Sequence, residues 1–279
     1  MFIFRVISYL PLWFLYLLSD LFFILAYHII GYRKKVVKTN LEHAFPELSP
    51  EEIRKIMRKF YRNLTDSFAE TIKMLTMSQD EVARRFLIIN HEQLTEYIDQ
   101  GKIVMGLTAH FFNWEGQVIG FKAQTKPFLD TVYLKIKNPF FEKLMQTMRG
   151  RFGGALIEKS DFQRNFIRNR NKPRLIGLAA DQRPNREDQR YSATFMNRET
   201  GFFEGGEKLA KKFDLPVFYS EVRKIKRGYY QYTYHLITEA PHDPTPHSIT
   251  DTFIRLLEEN IRKEPALYLW SHNRWKNSK

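Results

Sequence analysis

From Ile103 onward, apolar runs of strand length alternate with segments of helical spacing, and no other feature narrows the fold as much. Residues 103–109, 131–134, 155–158, 174–180, 217–225, 230–238 and 267–270 read as strands. Helices are expected near 113–123, 139–149, 161–170, 204–213 and 249–261. Strand–helix–strand order is the βαβ arrangement, in which helices join parallel strands and cover both faces of the sheet. The two aromatic-rich runs that meet at Arg227-Gly228 have no helix between them and predict a hairpin. The expected fold is therefore α/β, a mixed, mostly parallel sheet flanked by helices.

Residues 7–31 form a second constraint, an apolar stretch long enough to cross a bilayer with one formal charge, Asp20. Arg5 stands before it, and Arg33, Lys34, Lys35 and Lys38 crowd the far side, so the bulk of the chain belongs on the cytoplasmic face. No small-residue cleavage site follows. Pro11 and Asp20 also suit a helix lying in the interface. The reading divides the chain into an anchor at 1–32 and a domain at 33–279, the latter helical over 33–98 and α/β over 99–279. Ser49-Pro-Glu-Glu52 and Ser78-Gln-Asp-Glu81 each have the pattern of a helix start, and Phe86 falls at helical spacing after the second.

The chain has no cysteine, which removes disulfides, thiolate nucleophiles and thiolate metal sites together. Its formal charge of +13 favours anionic partners such as acidic lipid, phosphorylated substrates or an acidic carrier protein. No nucleic-acid-binding motif accompanies that charge, so nucleic acid is not an expected partner.

The chemistry centres on His110, which ends an apolar strand through Thr108 and Ala109, with Glu115 five positions on. The spacing alone says little: among 8 histidines and 31 acidic residues about one chance match is expected, and His91 with Glu96 is another. Position separates the two. His91 lies in a polar helix start, whereas His110 stands beyond the carboxyl end of a strand, where α/β sheets bind ligands. Asn113 fits an N-cap and would put Glu115 in the first helical turn, where the dipole favours a carboxylate. A carboxylate that orients an imidazole makes it a general base. A core histidine hydrogen-bonded to a carboxylate explains the same spacing without a reaction.

Asp181 and Gln182 end a second apolar run, at 174–180, and would open on the same edge if that strand is parallel to the first. Arg149 and Arg151 follow a helix and suit either phosphate binding or a solvated helix end. No serine lies in a nucleophile elbow. Gly201 to Gly206 resembles a P-loop, but Glu207 stands where the phosphate-binding lysine belongs. His242 and His247 lie in a proline-rich loop with no third ligand nearby, so no metal site is expected.

Taken together, these landmarks resemble the bacterial lipid A biosynthesis acyltransferase family, within the wider lysophospholipid acyltransferase-like group. The resemblance runs from the anchor through Tyr32-Arg-Lys-Lys, Asn40-Leu-Glu-His-Ala-Phe-Pro-Glu47 and His110…Glu115. It continues through Lys137-Asn-Pro, Arg149-Gly-Arg151, Asp181-Gln182 and the tail Trp270-Ser-His-Asn-Arg-Trp-Lys276. It implies cofactor-free transfer of an acyl chain from an acyl carrier protein thioester to a hydroxyl of an anionic lipid A precursor, at the inner membrane. It further implies His110 as base, Glu115 as its orienting partner, Arg149 or Arg151 on phosphate or the thioester carbonyl, and Asp181 and Gln182 lining the pocket with Asn113. Another membrane lipid as acceptor, or a non-catalytic basic module on the membrane, are the rival readings.

Overall fold

The computed structural model describes residues 2–126, 128–184 and 190–275, so Lys276 of the tail motif lies outside the described residues. The chain opens with helices α1 (Phe2–Tyr9) and α2 (Leu12–Phe23), broken at Pro11, and a π-helical turn, Ile24–Ile29. Three helices follow: α3 (Lys34–Ala44), α4 (Pro50–Lys73) and α5 (Gln79–Arg85). The start of α4 is the expected capping box: the Glu52 N–H donates to Ser49 Oγ at 3.3 Å, and the Glu52 carboxylate accepts from the Ser49 N–H at 2.8 Å. Ser78 caps α5, its Oγ accepting from the Glu81 N–H at 3.2 Å.

Phe86 does not extend α5. It opens a strand, β1 (Phe86–Ile89), which is followed by α6 (His91–Asp99). Then come β2 (Ile103–Thr108), α7 (Trp114–Gln124), β3 (Leu129–Tyr133), α8 (Pro139–Arg149) and β4 (Ala155–Glu158). The chain continues through α9 (Phe162–Arg168), β5 (Arg174–Ala179), β6 (Arg190–Phe195), β7 (Arg198–Phe203) and α10 (Gly205–Lys212). It ends with β8 (Val217–Lys226), β9 (Tyr229–Thr238) and α11 (Ser248–Lys263).

Seven strands form one sheet in the order β1-β9-β8-β2-β5-β3-β4, mixed and mostly parallel as the alternation implies. The antiparallel contact is the β8–β9 hairpin, and β1 then runs parallel to β9 at the edge. Residues 33–98 thus contribute a strand to the sheet as well as helices. Residues 267–270 are not a sheet strand; they form an isolated bridge, Phe111–Tyr268. The sequence reading did not foresee the small β6–β7 hairpin, which turns at Met196 and Asn197.

Two details place the site. β2 is buried from Ile103 to Leu107, because helices cover both faces of a parallel strand and leave water only its carboxyl end. α7 lies against β1 through Gly116 and Gly120, where any Cβ would collide with Phe86. That close seat fixes where the N-terminus of α7 points.

Candidate active site

His110 stands two residues past the end of β2, and Asp181 two residues past the end of β5. The strands pair in parallel with Thr108 opposite Ala179, so the extensions beyond them run side by side. The result is a hydrogen bond of 2.6 Å between His110 Nδ1 and Asp181 Oδ1. The imidazole is 20% exposed and the carboxylate 3%. With the Nδ1 proton given to Asp181, a neutral ring presents a lone pair at Nε2, which lies 3.2 Å from Gln182 Nε2. Burial pulls the His110 imidazole down, but the Asp181 carboxylate, with Glu115 behind it, outweighs that pull and leaves it raised. Asp181 moves the other way: burial pushes it up, and His110 brings it below the usual carboxylate range.

Glu115 does sit in the first turn of α7. Asn113 caps that helix, its Oδ1 accepting from the N–H groups of Glu115 at 3.1 Å and Gly116 at 3.3 Å. The partner expected for the Glu115 carboxylate was His110; the structure gives it Arg149 instead. Arg149 Nε and Nη2 donate to its two oxygens at 2.7 and 2.6 Å, and Trp114 Nε1 donates to Oε1 at 2.8 Å. The capped helix directs this carboxylate toward the end of α8, while strand register brings Asp181 to the imidazole. Glu115 therefore acts on His110 through the field, not through a hydrogen bond.

The Nε2 side of His110 opens on a cavity of about 820 Å³. Gly106 and Leu107 both line it, as do Gly177 and Leu178. Consecutive strand residues face opposite ways, so the cavity wraps around the sheet rim and runs down both faces. Gly106 and Gly177 are register partners. A Cβ on Gly177 would meet nothing closer than 3.6 Å, so its backbone does not require glycine and the missing side chain leaves open floor. Many of the remaining lining residues are apolar, including Val118, Leu209, Tyr234 and Phe253. An imidazole beside a largely apolar hollow suits chemistry on a lipid chain.

Comparison with known proteins decides the family. The family model for bacterial lipid A biosynthesis acyltransferases matches residues 1–277. The chain belongs to that family. It is 24% identical over 247 residues to the lipid A biosynthesis palmitoleoyltransferase of Escherichia coli K12, covering 88% of this chain and 79% of the relative. Against the lipid A biosynthesis lauroyltransferase of the same strain, identity is 24% over 258 residues, covering 90% and 82%. A lipid A biosynthesis acyltransferase of Shigella flexneri matches as well as the palmitoleoyltransferase does. The protein is an acyltransferase, and the chemistry it performs is acyl transfer in lipid A biosynthesis.

In this acyltransferase the other residues singled out from sequence divide sharply. Gln182 lines the cavity, and so do Glu115 and Arg149. Asn113 is buried, its Oδ1 used in the cap and its Nδ2 donating to Glu70 at 3.0 Å, so its side chain faces inward. Arg151 donates to the Met74 carbonyl and packs over Phe152, away from the cavity. Glu207 binds Thr250 N at 3.0 Å and Oγ1 at 2.6 Å, and pairs with Lys211.

The tail, quoted only for its likeness to the family, turns out to back the site. Leu269 N donates to the His110 carbonyl at 3.0 Å, and Phe112 N to the Leu267 carbonyl at 2.9 Å. Arg274 is 3% exposed, donates to the Gly201 carbonyl at 2.7 Å and adds positive charge near Asp181. Burial, with Arg274, His110 and Arg183 nearby, holds His272 at about 4, hence neutral. The spacing Trp270-x-His-x-Arg274 carried this signal, but nothing in the sequence says what lies in front of it.

Proposed function

We propose that this acyltransferase moves a fatty acyl chain from an acyl carrier protein thioester to a hydroxyl of a lipid A precursor, at the cytoplasmic face of the inner membrane, with His110 as general base. The single observation that carries the mechanism is the asymmetry of that imidazole: Nδ1 is held by Asp181 while Nε2 faces the cavity. Nε2 takes the proton of the acceptor hydroxyl as its oxygen attacks the thioester carbonyl. Asp181 stabilises the imidazolium that forms, and the imidazolium returns the proton to the departing thiol. Gln182 and Arg183 line the cavity beside it, and Arg183 Nη1 has no hydrogen-bond partner among the described residues. These two residues supply the donors for the negative charge that builds on the carbonyl oxygen. Glu115 and Arg149 act as a locked pair that shapes this wall, the carboxylate raising the basicity of His110 and the guanidinium opposing it.

The formal charge of +13 suits both substrates, since a carrier protein of this kind and a phosphorylated lipid precursor are acidic. Mass spectrometry of lipid A from cells lacking the protein tests the reading: one acyl chain should be missing and should return with the wild-type gene. Unchanged lipid A alongside altered phospholipids would instead assign the acceptor to another membrane lipid. Purified enzyme offered the same acyl group on carrier protein or on coenzyme A identifies the donor.

A further inference from the structure

Helix α2 and the π-helical turn after it are long and apolar enough to cross a bilayer, with only 22% of Leu12–Ile29 buried. Yet the side chains at Tyr16, Ser19 and Asp20 form one polar stripe, three and four residues apart on the same helix face. Every member of that stripe is bonded to the body of the enzyme. Tyr16 Oη donates to Glu70 Oε1 at 2.9 Å, and Ser19 Oγ donates to Asp66 Oδ1 at 2.7 Å, both acids being on α4. Arg227, in the β8–β9 turn, bridges Asp20 and Asp66 at 2.7 Å each. The turn itself is shaped for this seat, because a Cβ at Gly228 would collide with the Tyr16 hydroxyl. The break before α2 is pinned as well: Lys73 Nζ donates to the carbonyls of Ser8 at 3.1 Å and Leu10 at 2.9 Å, and Thr76 Oγ1 to Ser8 at 2.7 Å.

A helix bonded in this way cannot cross a bilayer alone. Threading α2 through the hydrocarbon would draw in Asp66, Glu70, Lys73 and Arg227, or leave the stripe unpaired in lipid; both are strongly unfavourable. The exposed apolar side chains tell where it sits instead. Phe2, Trp13, Leu17 and Phe22 are between 57% and 81% exposed on α1 and α2. That apolar surface continues to α8, where the Phe140 ring lies 5.5 Å from Phe4. Leu134, 65% exposed on the segment leading to α8, is also a lining residue of the cavity. Cations follow directly on this surface: Arg33, Lys34, Lys35 and Lys38 are exposed just after the π-helical turn. An exposed apolar surface that includes tryptophan and is followed by a basic cluster matches the interfacial layer of an anionic membrane.

We propose that α1 and α2 lie in the plane of the membrane interface, without crossing it, so that both chain ends stay on one side and the cavity mouth opens at the level of the acyl chains. This rests on the reading that the enzyme works at the membrane, and the test separates the two. The chain has no cysteine, so an introduced one is unique. One variant carries a cysteine on a short glycine–serine extension before Met1; the other is Glu92→Cys on α6, where the side chain is 72% exposed. Each is treated in spheroplasts and in inverted inner-membrane vesicles with a membrane-impermeant maleimide. An interfacial helix predicts that both cysteines are labelled in inverted vesicles and neither in spheroplasts. Labelling of the N-terminal cysteine in spheroplasts, with Glu92→Cys labelled only in inverted vesicles, would overturn the proposal and leave the membrane reading standing. Recovery of both variants in the soluble fraction would overturn the membrane reading itself.

Discussion

Two buried carboxylic acids, Glu70 on α4 and Asp181 at the sheet rim, are 1% and 2% exposed and behave in opposite ways. Burial pushes Glu70 up, and its hydrogen-bond donors are neutral: Tyr16 at 2.9 Å, Asn113 at 3.0 Å and Tyr230 at 3.3 Å. Asp181 feels the same burial but is pulled down by an imidazole that can carry the compensating charge. The second difference is what each cluster leaves open. At the α2–α4 seam the stripe, the acids and the bridging arginine are bonded to one another. At the rim, His110 Nε2 faces the hollow, with Arg183 Nη1 unbonded beside it. Burial and charge alone therefore do not mark a candidate site; polar groups that line a cavity do.

The largest expected effect breaks the rim and spares the seam. His110→Ala should lower the turnover number by about 10²- to 10⁴-fold, the range for loss of a positioned general base, and should also lower the melting temperature, because buried Asp181 loses its partner. Activity near wild type would remove the imidazole from the mechanism. Next comes the neighbouring ion pair, whose side chains are 14% and 5% exposed. Arg149→Met leaves the Glu115 carboxylate buried and unpaired and should destabilise the fold by about 3–5 kcal/mol in denaturant titration. Adding Glu115→Gln should recover much of that loss. If it does not, the guanidinium is held by something other than this carboxylate.

The smallest effect sharpens the comparison directly. A base must be neutral to act, so turnover should rise with pH through the raised His110 value. Asp181→Asn removes the carboxylate that raises it, and the ascending limb of the pH–rate profile should move to lower pH as the rate falls. Stability follows opposite signs at the two acids. Asp181, lowered in the folded state, contributes stability that is lost as pH falls through its folded value. Glu70, raised in the folded state, binds its proton more tightly when folded, so stability falls as pH rises from its unfolded toward its folded value. Glu70→Gln mimics the protonated acid, still accepts from Asn113, and should change stability at neutral pH by less than about 1 kcal/mol. A large loss in calorimetry would show that Glu70 works as an anion, as Asp181 does.

Local signals were legible. The Asn113 cap, the Ser49 capping box, the β8–β9 hairpin and six of the seven strands read from the sequence rest on patterns a few residues long, and all appear where they were read. The missed strand β1 has four residues and follows α5 with no turn residue between them, so Phe86 fitted the helix period as well as a strand. The β6–β7 hairpin turns through Met196 and Asn197, both at positive φ, and a methionine there carries no turn signal. The polar stripe of α2 was visible only as the awkward Asp20, because its partners lie on α4 and in a distant hairpin.

By itself the sequence determined that an imidazole would end a buried strand at the edge of a mostly parallel sheet, and that a capped helix would follow carrying Glu115. Which carboxylate meets that imidazole was decided by the tertiary structure. His110 and Asp181 are 71 residues apart, and only the register of β2 against β5 sets them side by side, since strand pairing is a property of two distant segments at once. The same holds at the N-terminal helices: apolar length made α2 a candidate to span, and its bonds to Asp66, Glu70 and Arg227 tie it to the enzyme's body.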